Sequence, residues 1–192
     1  MDWNEFPGHS IVLETRRLVL RPFRKDDFAV ALPFYADEEF RQAIDPNPAT
    51  VSLDYLQQVG LYLAGHGFLF AIESRDDGRT IGEACLEHMN LERAAVRPGE
   101  RVFRVPFGIW DKALWGRGLG GEVLDRLLRF AFADHEAERV CAMSVARANY
   151  RSLALFQSRG FRAVRDVPAE RAVDLELSRN AYETDTRSAP PN

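Results

Sequence analysis

The stretch that decides the fold is Val102 to Phe132, VFRVPFGIWDKALWGRGLGGEVLDRLLRFAF. It reads as strand, short loop, glycine-rich turn and helix. Val102, Phe103, Val105, Phe107, Ile109 and Trp110 form a β-rich, largely apolar run, the pattern of a strand buried in mid-sheet. The turn is Trp115-Gly116-Arg117-Gly118-Leu119-Gly120-Gly121. Beyond it, Leu119, Val123, Leu124, Leu127, Leu128, Ala131 and Phe132 recur at helical spacing, with Glu122, Asp125, Arg126 and Arg129 on the other face.

A helix N-terminus carries unpaired N–H groups and a partial positive charge. Residues without side chains let an anion approach that backbone. The turn therefore reads as a cradle for a phosphate or pyrophosphate, with Arg117 adding charge; the plainer alternative is a tight turn that needs glycine. A P-loop is excluded, because Glu122 and Val123 follow Gly121 where Lys-Ser/Thr is required. Gly116, Gly118 and Gly121 satisfy the dinucleotide pattern formally. But Asp111 to Trp115 intervene between strand and turn, and the next strand ends in Ala146-Arg147 with no acid for a ribose.

Around this centre, 192 residues suit one α/β domain with a sizeable core. A net charge of −4 gives no bulk attraction to nucleic acid. Cys85 and Cys141 lie in apolar runs and read as free buried thiols of a reducing cytoplasm. No apolar run approaches a membrane span, and the four histidines show no metal-ligand spacing, so no metal is expected. Residues 1–10 read as a loose arm, with Trp3 and Phe6 able to dock; 11–180 read as the domain and 181–192 as a flexible tail. Ile11 to Arg24 reads as a first strand and Phe28 to Leu32, preceded by Asp26 and Asp27, as a first helix. Asp45-Pro46-Asn47-Pro48 reads as a turn, and Ser52 as the cap of a second helix. A hairpin runs from Phe68 to Met89, a buried strand from Arg139 to Val145, a helix from Asn149 to Gly160, and two closing strands to Leu177.

The glycine segment resembles the acyl-CoA-binding motif of the GNAT family of N-acetyltransferases, Gln/Arg-x-x-Gly-x-Gly/Ala after a strand. Gly118 and Gly120 take the glycine positions, and Trp115 stands where Gln or Arg is usual. Trp-Gly-Lys/Arg-Gly is common in the branch holding the ribosomal-protein N-terminal acetyltransferases, and the phrase Leu13 to Pro22 is similar to the opening of that branch. The branch also shows Val-x-x-x-Asn-x-x-Ser followed by Leu-Gly-Phe. Here these are Val145, Asn149, Ser152 and then Arg159-Gly160-Phe161. The resemblance spans Leu13 to Leu177 and is specific from Gly108 to Phe161.

The resemblance implies a single mixed, mostly antiparallel sheet flanked by about four helices, whose two central strands splay apart to admit acetyl-CoA as co-substrate. Gly108, Ile109 and Trp110 would pair their backbone with the pantetheine amides. Trp115, Gly116, Arg117, Gly118, Leu119, Gly120 and Gly121 would hold the diphosphate, and Asn149 and Ser152 would meet the thiol arm. The implied reaction is direct attack of a primary amine on the thioester. The amine is a protein N-terminus or a small cationic amine, drawn by the acidic region Asp37, Glu38, Glu39 and Asp45. The chemistry needs a base for an amine of pKa ~10 and a donor at the oxyanion. A backbone N–H near Trp110 is the expected donor. Glu83, Glu87, His88 and Asp111 are candidate bases, with Glu87 favoured. Two positions depart from the family: Phe156 replaces a Tyr acid, and Ser144 replaces a Glu base, which leaves Ser152 to face the sulfur. The departures keep open a non-catalytic acyl-CoA sensor on the same fold, and a nucleotide-binding protein is the third reading. The pattern is compatible with a homodimer.

Overall fold

The computed structural model describes residues 6–44, 51–90 and 92–188. Nine strands form one sheet: β1 (Leu13–Glu14), β2 (Leu18–Pro22), β3 (Gly67–Ser74), β4 (Thr80–His88), β5 (Val102–Arg104), β6 (Phe107–Ile109), β7 (Arg139–Ala146), β8 (Arg162–Val167) and β9 (Ala172–Ser178). Their order is β1-β2-β3-β4-β5-β7-β9-β8, with β6 on β4 beside β5. Every pairing is antiparallel except β5 with β7. The sheet is therefore mixed and mostly antiparallel, as the resemblance implied.

Six α-helices flank it among the described residues, two more than expected: α1 (Asp27–Tyr35), α2 (Glu38–Ile44), α3 (Leu53–His66), α4 (Leu119–Arg129), α5 (Tyr150–Gln157) and α6 (Arg179–Ser188). α4 runs on into one π-helical turn, Phe130–Asp134. On one sheet face Phe28, Ala31, Phe40 and Leu56 from α1–α3 pack against Leu69, Ala71, Cys85 and Trp110. On the other, Val123, Leu124, Leu127 and Leu128 of α4 and Phe156 of α5 pack against Leu20, Ile72, Leu86 and Val140.

Several expectations needed revision. The first strand breaks into β1 and β2 around a turn where Thr15 N–H donates to Leu18 O at 2.9 Å. The acidic region after α1 is not simply a loop between helices: Glu38–Ile44 forms α2, whose Phe40 is 1% exposed and buried beneath the helix. The tail from 181 is helical up to Ser188, and Tyr182 stacks on Phe132 with centroids 4.5 Å apart. Ser52 does cap α3, accepting from Tyr55 N–H at 3.1 Å. Phe6 docks edge-on against Phe28. The turn at 45–48 and Trp3 fall outside the described residues. Cys85 and Cys141 are buried free thiols. No described helix is long and apolar enough to cross a membrane, and the described residues form no His/Cys/Asp/Glu group able to hold a metal.

Candidate active site

The central feature is a fork. β5 and β6 hold one unbroken register against β4, from His88↔Phe103 and Glu87↔Arg104 to Glu83↔Gly108 and Gly82↔Ile109, with Cys85 N–H donating to Pro106 O at 2.8 Å between them. Pro106 lacks an N–H, so the run expected as one strand is interrupted there. On the other side, β5 pairs with β7 only through Arg104↔Cys141, and the last bond is Val105 N–H to Cys141 O at 3.1 Å. Beyond it, β6 follows β4 while β7 follows β9. The two central strands diverge, leaving an open edge on each.

Antiparallel alternation decides which groups face that opening. Gly108 faces Glu83 in the ladder, and Trp110 N–H donates to Ile81 O at 2.8 Å, so both are committed to β4. The N–H groups of Phe107 and Ile109 turn the other way, into the fork. The expected oxyanion donor next to Trp110 is therefore Ile109 N–H rather than the Trp110 amide. Ile109 C=O accepts the Trp115 indole N–H at 2.8 Å, which ties the glycine turn to the rim of the fork. The Trp110 ring is 1% exposed and stacks on Phe34, a core position.

The glycine turn has the conformation that the residue type permits. Gly116 and Gly118 have φ of 75° and 78°, in the left-handed region. Gly118 is the N-cap of α4, with no side chain to satisfy the helix start. The N–H groups of Leu119 and Gly120 at the first turn lack intrahelical acceptors. Gly121 N–H instead turns back to Gly118 O at 3.1 Å, so that amide is not open to a ligand. Gly120 lies against α5: a Cβ there would stand 3.4 Å from Leu155 Cδ2. Two residues distant in sequence, Thr15 and Arg17, support this turn. Glu122 accepts from Thr15 Oγ1 at 2.7 Å and from Arg17 Nε at 2.6 Å, anchoring the β1–β2 turn to the start of α4. Arg17 Nη2 would lie 3.4 Å from a Cβ at Gly118, so its guanidinium flanks the helix start beside Arg117. Open amides at a helix N-terminus, with the Arg17–Glu122 ion pair beside them, make a place where an anion can approach the backbone.

Across the fork, Asn149 caps α5: its Oδ1 accepts Ser152 N–H at 3.0 Å. Its Nδ2 donates to Ala43 O at 2.5 Å, in the last turn of α2. Helix α2 thus bridges the mouth of the fork from β6, where Phe40 covers Gly108, to the start of α5. Ser152 stands in the first turn of α5, one turn from this contact. Phe156, where relatives carry an acid, is 4% exposed and packs edge-on against Phe107 and Phe161. Ser144, the other departure, lies in a bulge of β7 and donates its N–H to Asp174 Oδ1 at 2.8 Å.

The candidate bases separate clearly. Glu87 is 3% exposed and gripped by Arg104, with Nε at 2.6 Å and Nη2 at 2.5 Å from its Oε2. A carboxylate held this way by a guanidinium reads as a structural ion pair. His88 is exposed and packs on Phe103. Asp111 caps a short turn, accepting Ala113 N–H at 2.9 Å. Glu83 is different. It faces the fork strand at Gly108, on the α1–α2 side, and accepts the Tyr35 hydroxyl hydrogen bond. Burial raises the Glu83 carboxyl above its ordinary range, against the opposing pull of Tyr35 and Trp110. Burial, with Glu83 alongside, pushes the Tyr35 phenol well above its ordinary value, so Tyr35 stays a donor. The acidic region is also less bare than it reads, since Lys112 Nζ bridges Asp37 at 2.8 Å and Glu39 at 2.7 Å. Asp45 is outside the described residues.

Comparison with known proteins agrees with this geometry. Residues 17–162 match the model of the acetyltransferase (GNAT) domain. The aminoglycoside acetyltransferase AAC(6')-Ib, solved with ribostamycin and coenzyme A, superposes with a TM-score of 0.73 at 19% identity, over 90% of this chain and 99% of that one. Mycobacterium smegmatis RimJ, solved with CoA-disulfide, gives 0.69 at 17% identity over 93% and 95%. A GNAT-family acetyltransferase from Bacillus anthracis gives 0.69 at 14% identity over 88% and 98%. At these identities the solved structures share the fold, and the family model covers most of the chain. The chain thus belongs to the GNAT family of acetyltransferases, with acetyl-CoA as co-substrate.

Proposed function

We propose that this enzyme transfers the acetyl group of acetyl-CoA to a primary amine, a protein N-terminus or a small cationic amine, by direct attack in a ternary complex, with Glu83 as the general base. The observation that carries the assignment of the base is a carboxyl with a raised proton affinity, held by Tyr35 at the Gly108 edge of the fork. An alkyl amine of pKa ~10 is almost wholly protonated at neutral pH and must lose that proton before it attacks. A half-buried carboxyl with raised affinity accepts it better than a fully exposed one.

In this reading the thiol arm of acetyl-CoA lies along β6, pairing with the outward main-chain groups of Phe107 and Ile109, and the diphosphate rests on the start of α4. Ile109 N–H then meets the oxygen of the tetrahedral intermediate. The amine approaches from the α1–α2 side, where Glu83 and Tyr35 stand. The departing thiolate has the basicity of an ordinary thiol, about 8.5, so it leaves without the strong acid that an alkoxide would need. Phe156 is consistent with that, and Ser152 is the hydroxyl that remains on the first turn of α5. The aminoglycoside acetyltransferase AAC(6')-Ib is solved with ribostamycin beside coenzyme A, which supports an amine acceptor here without choosing between a protein and a small molecule.

Coenzyme A release is to be measured with acetyl-CoA and a panel of primary amines, for wild type and Glu83→Gln. Removing a general base lowers kcat by about 100-fold or more. The expected result is that loss, with coenzyme A affinity unchanged. A Glu83→Gln protein that turns over at the wild-type rate removes Glu83 from the mechanism.

A further inference from the structure

One residue past the point where the strands part, β7 leaves its register with β9. Ala142 pairs with Leu175 and Val145 with Val173, so Met143 and Ser144 together oppose the single residue Asp174. β8 gains a residue at the same level on the other side: Ala163 pairs with Leu175 and Arg165 with Asp174, leaving Val164 between them. Asp174 therefore sits between two bulges. Ser144 has φ of 53°, a left-handed conformation that a non-glycine residue adopts only when its surroundings hold it there.

The holding contacts are specific. Ser144 N–H donates to Asp174 Oδ1 at 2.8 Å, and its Oγ accepts from Arg93 Nη2. Asp174 is 1% exposed, and its second oxygen makes no hydrogen bond although Arg93 Nε stands 3.5 Å away. Arg93 also lies 3.5 Å from Glu170. A carboxylate buried this deeply between strands is costly, and an apolar residue would serve a plain ladder better. The feature that an apolar residue cannot reproduce is the acceptor for Ser144 N–H, which is turned out of the ladder by the bulge.

A bulge bends its strand and sharpens the local twist. This one lies directly after Cys141, where the last bond between the central strands is made. We propose that Asp174 is a positioning residue for the co-substrate slot: it holds Ser144 in its left-handed conformation, and the bulge so held keeps β7 clear of β6. The inference rests on the reading that the thiol arm of acetyl-CoA lies in the fork. Asp174 touches neither the arm nor the reacting atoms; it acts through Ser144.

The test is calorimetric titration of the full chain with coenzyme A, which needs no acceptor. Losing a charge-assisted hydrogen bond at the bulge is expected to weaken binding about tenfold in Asp174→Ala. Asp174→Asn keeps an acceptor oxygen for Ser144 N–H and is expected to bind within about threefold of wild type. Adding Ser144→Gly to Asp174→Ala is expected to restore most of the lost affinity, because glycine takes this φ without being held. A merely structural role for Asp174 predicts no such rescue. Should Asp174→Ala fail to fold, Ser144→Val carries the test, since a β-branched residue resists this φ; unchanged affinity there overturns the proposal. Unchanged affinity in folded Asp174→Ala, or a double variant no better than the single one, also overturns it. Wild-type protein that gives no heat overturns the slot reading itself and this inference with it, whereas binding by wild type that Asp174→Ala retains in full overturns the inference alone.

Discussion

Replacing Tyr35 with Phe removes one hydroxyl from the α1–α2 side of the site and leaves the ring where it packs edge-on against Phe40. The hydroxyl donates to Glu83, and a carboxylate values that bond more than the protonated acid does. A hydrogen bond to a charged acceptor contributes about 1.5–3 kcal/mol. Its loss is felt by the carboxylate and not by the acid, so Glu83 in the variant holds its proton more tightly than burial alone already makes it, by up to that free energy. The base works deprotonated, so the acid limb of the pH profile of kcat/KM moves to higher pH. Below the limb, Tyr35→Phe loses roughly tenfold in rate per unit of displacement, and at alkaline pH its rate returns toward wild type. The assay is initial-rate coenzyme A release across about pH 5.5–9.5 with one amine acceptor for both proteins, so that the ionisation of the acceptor cancels in the comparison. A limb that stays in place, or a loss equal at every pH, refutes the pairing of Tyr35 with a catalytic Glu83.

Glu87→Gln is expected to keep kcat but to lose roughly 1–3 kcal/mol of stability, because Arg104 loses its partner yet is 27% exposed and partly rehydrates. Urea denaturation beside turnover checks this, and a hundredfold loss of kcat at normal stability would return Glu87 to the role of base. Glu83→Gln is expected to raise stability at neutral pH. The folded state binds the Glu83 proton more tightly than the unfolded chain, so its contribution favours folding at low pH. That contribution declines as pH rises from the ordinary carboxylate value of about 4.3 through the higher folded one. Gly118→Ala forces a Cβ onto φ of 78° at the start of α4, a strain of about 1–2 kcal/mol that also displaces the open amides. A coenzyme A dissociation constant raised about tenfold or more is expected from calorimetry, and unchanged affinity would mean that the turn does not hold the diphosphate.

Much of this molecule was readable from local pattern. The hairpin from Phe68 to Met89 and the Ser52 cap depend on neighbours within a few residues, and both are where the pattern put them. The glycine turn was readable for the same reason, since positive φ at Gly116 and Gly118 is a demand that residue type alone can meet. Helix α2 escaped because it is seven residues long and amphipathic through Phe40 and little else, so its stability comes from packing on Gly108 and Trp115 rather than from its own period. The last helix escaped because its polar composition suggests a tail until Phe132 supplies a ring for Tyr182.

The sequence by itself determined that a strand, an anion-seeking helix start and an Asn-capped helix follow one another in one chain, because each follows from the nearest side chains and the backbone. Only the tertiary structure decided what lies between them. Two strands that pair as far as Arg104 and Cys141 part company there because β6 keeps to β4 while β7 keeps to β9. Choosing Glu83 over Glu87 likewise needed the distant Tyr35 and Arg104, since the proton affinity of a carboxyl is set by its burial and partners and not by its place in the chain.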